Sequence, residues 1–133
     1  MSVDHKAEAQ KWFVRGDKDE EAARFLIKSE DHEETVCFLI QQWVEKYLKG
    51  YLAWHKQKLE KTHDLERLLN LCAQLDKDFS RWLDEILVLN DYYIATRYPI
   101  DIDVAFKSEE ALPVAEAVVN VVKKKLNLDW GEK

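Results

Sequence analysis

Apolar residues recur three and four positions apart along most of the chain, the spacing that lines one side of an α-helix. Trp12, Phe13, Ala22, Phe25 and Leu26 form the first such stripe, with Glu and Lys opposite, and predict a helix from Asp4 to about Ser29. Gly16 lies inside it and marks a kink or a close helix contact. The acids of Glu30-Asp31-His32-Glu33-Glu34 suit the first turn of a second helix, from about Glu33 to His55. There Val36, Leu39, Ile40, Trp43, Val44, Tyr47, Leu48, Tyr51 and Leu52 cover more than one narrow stripe, as expected of a central helix with neighbours on several sides. Lys56 to Lys61 reads as a loop. Thr62 is the expected N-cap of a third helix, with Asp64 in its first turn and Leu65, Leu68, Leu69, Leu71, Cys72 and Leu75 inside.

A fourth helix is expected from Asp78 or Ser80, burying Trp82, Leu83, Ile86, Leu87, Leu89, Tyr93 and Ile94. Pro99 ends it, because a residue before proline is pushed out of the α region. The alternating stretch Ile100 to Lys107 suits a short extended segment. The last helix starts at Ser108-Glu109-Glu110, and Pro113 shifts its regular part toward Leu112. Its stripe is Val114, Ala115, Val118, Val122 and Leu126. The tail from Asn127 is expected to fray, with Trp130 docking. Together these elements predict an all-α, up-and-down bundle of four to five antiparallel helices, in one domain over residues 1–133. With Gly 3 and Pro 2, the chain lacks the turn residues that a β-rich fold needs. A chain of 133 residues buries roughly two-thirds of its unfolded surface, so its core needs no metal or disulfide.

Composition narrows the functional classes. A net charge of −6 argues against bulk attraction to nucleic acid. Cys37 and Cys72 sit in apolar helical patterns and pack as small hydrophobes, and no Cys-x-x-Cys spacing suggests zinc or redox chemistry. The N-terminus has no apolar leader, and no apolar run approaches the ~20 residues of a membrane span. A cytoplasmic setting is expected.

Three groups of polar residues carry candidate chemistry. Gln42, Glu45, Lys46 and Lys49 share one face of the second helix, with Gln41 beside them. Glu45 and Lys49 suit an ordinary surface ion pair, whereas two adjacent glutamines in so apolar a helix need partners, which a second copy of the chain would supply. Lys61, Thr62 and His63 stand at a helix start, where unpaired amides favour an anion such as phosphate; the bland alternative is that Thr62 only caps and His63 packs. Tyr93 and Arg97, four apart, share a face that continues into Tyr98, offering stacking and a two-pronged phosphate contact. The alternative for Arg97 is an ion pair to Asp19 or Glu45. His5, His32 and His55 read as surface histidines, and no metal-ligand spacing is present. No Gly-rich phosphate loop, His-Glu-x-x-His or nucleophile elbow occurs.

Taken in order, these residues resemble the HEPN family (higher eukaryotes and prokaryotes nucleotide-binding domain). The matching features are Trp12 and Asp19, Cys37-Phe38, Gln41-Gln42-x-x-Glu45-Lys46-x-Leu48-Lys49, Lys61-Thr62-His63-Asp64-Leu65 and Arg97-Tyr98-Pro99. The resemblance implies a four- or five-helix bundle that forms homodimers. It also implies association with a minimal nucleotidyltransferase in toxin–antitoxin-like pairs, and a nucleotide such as ATP as ligand, with no other cofactor. Many relatives are metal-independent ribonucleases with an Arg-x(4 to 6)-His motif near the end of the fourth helix. No histidine follows Arg97 here, so the resemblance implies binding rather than catalysis.

Three functions compete. The first is a nucleotide- or partner-binding module using Lys49, Lys61, Thr62, His63, Arg97 and Tyr98. The second is a ribonuclease with a displaced site, where Arg97 holds phosphate and His63 or Tyr98 moves protons. The third is a structural homodimer, with Gln41, Gln42, Glu45, Lys46 and Tyr93 at its interface.

Overall fold

In the computed structural model, which describes residues 4–97 and 106–128, five α-helices and two 3₁₀ turns follow one another: α1 (His5–Leu26), a turn at Glu30–His32, α2 (Glu33–Trp54), α3 (Leu65–Leu75), a turn at Lys77–Trp82, α4 (Leu83–Arg97) and α5 (Ser108–Lys125). The described residues contain no strand, in keeping with an all-α bundle. Among them no helix is long and apolar enough to cross a membrane.

The broad apolar surface of α2 makes it the centre. Fourteen of its 22 residues are buried, and it packs against α1, α3, α4 and α5. Its contact with α1 is close because of two glycines. A Cβ on Gly50 would lie 2.2 Å from Cε1 of Phe13, so only glycine admits that ring. A Cβ on Gly16 would lie 3.0 Å from the Tyr47 ring, which makes Gly16 a contact residue of α1. Phe13 and Tyr47 pack beside them, tilted by 31°, at 4.8 Å between centroids. Cys37 and Cys72 are free thiols, and both are buried.

Local capping corrects several expected boundaries. Asp4 caps α1, its Oδ1 accepting from the amides of Lys6 and Ala7 at 3.1 Å each. At the far end of α2, Lys56 takes φ 63°, and the Gln57 amide donates back to the Leu52 carbonyl at 3.0 Å. This closes the helix in a left-handed turn usually given to glycine. The expected Thr62 cap of α3 is replaced by Asp64, whose Oδ1 accepts from the amides of Glu66 and Arg67. Thr62 Oγ1 instead accepts from the Asp64 amide at 3.1 Å.

The fourth helix starts later than either expected residue. Asp76 caps residues 77–82 as a 3₁₀ turn, with buried Phe79 fixing them to the core. Ser80 Oγ donates to the Lys77 carbonyl at 2.7 Å, a local bond that competes with the α-helical one. The fifth helix begins at Ser108, as expected, and is regular from there rather than from nearer Leu112. Glu33, in the first turn of α2, accepts from the Ser108 amide at 2.8 Å and from its hydroxyl, and so caps α5 from a different helix. Pro113 sits inside α5, early enough that it forfeits only the bond to the Glu109 carbonyl. The proline end of α4, the extended segment before residue 106 and the docking of Trp130 lie outside the described residues.

Candidate functional site

The polar face of α2 is not a surface stripe. Gln41 is fully buried, Glu45 is 2% exposed and Lys49 is 6% exposed. Their spacing places them over the α1 contact on one side and the α2–α3 connection on the other. The Lys49 ammonium lies 3.1 Å from Glu45 Oε2 and 5.2 Å from the centre of the Trp12 ring on α1. Lys46 pairs with Asp19 of α1 and donates to Gln42 Oε1 at 3.5 Å. The expected surface pair between Glu45 and Lys49 is thus a buried one. The acids considered as partners of Arg97 are both engaged, Asp19 by Lys46 and Glu45 by Lys49 and His63.

The glutamines find their partners within the chain rather than in a second copy. Gln42 Nε2 donates to Gln41 Oε1 at 2.8 Å and to Glu45 Oε1 at 3.3 Å. Gln41 Nε2 donates to the His63 carbonyl at 3.4 Å. A buried amide left unpaired costs about 1–3 kcal/mol, so these bonds explain why glutamines are tolerated here.

These contacts converge on His63. Its Nδ1 lies 3.1 Å from Glu45 Oε1 and 3.0 Å from Oε2. An ionised carboxylate only accepts, so Nδ1 is the donor to Glu45, and in the neutral imidazole Nε2, across the ring, is the acceptor. The imidazole also stacks on Tyr93 of α4, with centroids 4.9 Å apart and planes within 19°. Tyr93 stacks in turn on Phe38 of α2, at 6.1 Å. One edge of the His63 ring therefore meets a buried acid and one face meets a tyrosine, yet the side chain is 48% exposed. Fixed orientation with open access is the property a binding or proton-transfer group needs.

The start of α3 holds the histidine in place. Asn90 of α4 accepts from the Leu65 amide at 2.9 Å and donates to Asp64 Oδ1 at 2.9 Å. With Asp64 engaging the next two amides, the first turn of α3 is satisfied by side chains of this chain. The amide part of the expected anion site at Lys61-Thr62-His63 is thus already filled. Lys61 is exposed beside it. Asn90 was missed in the sequence; its signal is an amide in an apolar helix, three residues before Tyr93.

Arg97 is the last residue of α4. Its backbone stands four residues, about 6 Å along the axis, beyond Tyr93. Tyr98 lies outside the described residues. Among the described residues no group of three His, Cys, Asp or Glu is placed to hold a metal ion.

A family model described as the HEPN domain matches residues 9–125. That span includes every side chain of this cluster. The description denotes a nucleotide-binding or ribonuclease-type helical module. No curated protein and no solved structure matches the chain.

Proposed function

The chain belongs to the HEPN domain family, and from that premise we propose that it is a nucleotide-binding module whose ligand sits where the α2–α3 connection meets α4. The observation that carries this reading is the His63 ring, held on Tyr93 and Glu45 yet half exposed. A flat, fixed ring suits a nucleobase, since base–aromatic stacking contributes about 1–3 kcal/mol. Arg97 and Lys61 then meet the phosphates, Arg97 through its planar fork. Lys49 acts indirectly, as the cation paired with Glu45 beneath His63. Tyr98 adjoins Arg97 in sequence and belongs to the same reading. ATP represents the ligand class.

The test is calorimetry and thermal shift of the protein with ATP, ADP, GTP and UTP at millimolar concentration. At ten times Kd a ligand stabilises by about 1.4 kcal/mol. The reading expects a melting-temperature rise with wild type that is lost in His63→Ala and in Arg97→Ala. A flat response to all four nucleotides refutes it.

The same reading includes a partner and a second copy. The module works beside a minimal nucleotidyltransferase, in a toxin–antitoxin-like pair, and as a homodimer, in line with its family. Co-purification with the product of the adjacent reading frame tests the first. Light scattering at tens of micromolar tests the second, and a monomer refutes it. A ribonuclease-type function is a second reading, favoured by the carboxylate on His63 Nδ1. Cleavage of a defined RNA by wild type and its loss in Arg97→Ala test that reading.

A further inference from the structure

The outer faces of α1 and α4 carry complementary patterns in one register. On α1, Lys11, Val14, Arg15 and Lys18 stand at i, i+3, i+4 and i+7, and on α4 Asp84, Leu87, Val88 and Asp91 do the same. Residues so spaced share one helix face. We propose that the α1 face of one copy of this chain receives the α4 face of a second copy, with cation on acid at both ends and apolar side chains between. The contact is separate from the nucleotide site and from a two-fold dimer, and rests on neither.

All eight side chains are exposed within one molecule. Val14, Leu87 and Val88 are three of the five exposed large apolar side chains among the described residues, so apolar exposure concentrates in these two windows. The buried side of α4 is already filled by Ile86, Leu89 and Tyr92, which leaves Leu87 and Val88 surplus to the core of their own molecule. Lys11, Lys18, Asp84 and Asp91 form no ion pair among the described residues. Arg15 lies over its neighbour Trp12, at 5.9 Å, whereas Arg24 of the same helix pairs with Glu20 and Glu116. Cations three and four residues apart repel one another on a helix. Here they do so in a chain whose 26 acids outnumber its 20 lysines and arginines. An acidic face laid against them removes that repulsion.

The spacing of the two faces matches. Seven residues of helix rise about 10 Å, so Lys11 and Lys18 are as far apart along their axis as Asp84 and Asp91 along theirs. They meet in either helix direction, with Val14 against Leu87 and Val88. The joined faces are unlike. Each added copy therefore leaves one α1 face and one α4 face free, and assembly proceeds until a ring closes or a row of copies grows. Charges at the rim orient the copies more than they hold them, so the association is weak and sensitive to salt.

The test is sedimentation velocity of the full chain from micromolar to millimolar concentration. At low salt the average mass of wild type is expected to climb past that of a dimer. At about 1 M salt, where charges are screened within about 3 Å, it falls back. Lys11→Glu/Lys18→Glu sets acid against acid, and Asp84→Lys/Asp91→Lys sets cation against cation. Each pair of changes alone weakens the association at least about 100-fold and keeps its helical circular dichroism. An equimolar mixture of the two variants regains it, as does one chain carrying all four changes, because each cation again faces an acid. Loss by misfolding gives no such rescue. If wild type never exceeds a dimer at low salt, the inference is overturned and a two-fold dimer stands untouched. If neither the mixture nor the four-change chain reassociates, the pairing of these faces is overturned. If wild type stays small yet binds phosphatidylglycerol vesicles, and Lys11→Glu/Lys18→Glu does not, the cationic face serves a lipid surface and the inference is overturned.

Discussion

Glu45→Ala removes the one carboxylate on which Lys49, His63 and Gln42 converge. The Lys49 side chain is 7% exposed and its carboxylate partner 2%. Without Glu45 the Lys49 ammonium is left without its carboxylate in a place water hardly reaches. Breaking a buried pair from one side costs about 3–5 kcal/mol, largely through the stranded charge. By contrast, Arg67 and Glu60, 51% and 43% exposed, form a pair worth about 0–1 kcal/mol. Against a domain stability of about 5–15 kcal/mol, the loss of Glu45 is severe. At a chain of this size it lowers Tm by roughly 10–20 °C. The assay is urea and thermal denaturation followed by circular dichroism, extended to a double-mutant cycle. Lys49→Met leaves Glu45 still bonded to His63 and Gln42, so it costs less than Glu45→Ala. In Glu45→Ala/Lys49→Met no charge is stranded, and the coupling returns at least about 2 kcal/mol. A Glu45→Ala loss under about 1 kcal/mol, or additive single changes, refutes the buried-pair argument.

Gly50→Ala places a methyl 2.2 Å from the Phe13 ring. The overpacking cost of about 1–3 kcal/mol exceeds the gain in helix propensity of about 0.5–1 kcal/mol, so denaturation shows a net loss that Phe13→Leu partly relieves. Lys56→Gly frees a non-glycine residue from φ 63°; relief of about 1–2 kcal/mol less a cost of about 0.4–1 kcal/mol in the unfolded chain leaves a gain, read as a higher urea midpoint. Burial raises the Asp17 carboxyl above its ordinary 3.8, partly offset by the Tyr47 hydroxyl and Lys123. The folded state then holds that proton more tightly than the unfolded state. Stability of wild type relative to Asp17→Asn therefore falls as pH rises from 3.8 through the raised value; a pH-independent difference contradicts this.

Helix number, order and the central place of α2 were legible because hydrophobic spacing alone sets them. The starts of α3 and α4 were less so, because each is decided by a cap, whereas the start of α5 at Ser108 was legible in Ser108-Glu109-Glu110. Thr62 and Asp64 both have the chemistry of an N-cap, and the choice falls to Asp64, which Asn90 of another helix also holds. Glu33 caps α5 from 75 positions away in sequence, a contact that no local pattern encodes. Within the site, helical periodicity placed Gln42, Glu45, Lys46 and Lys49 together correctly. It did not show which side of α2 is covered, so a buried pair read as a surface one. The bond from Glu45 to His63 spans 18 residues and arises from the loop path between α2 and α3.

The proposed nucleotide lies against the His63 ring, which rests on Tyr93. The most direct measurement is an amide and imidazole NMR titration of the wild-type protein with ATP to millimolar concentration. Binding at this site shifts signals of residues 61–65 and 90–97 most, with the His63 ring among the largest. No shifts, or shifts confined to the outer face of α1, would contradict it.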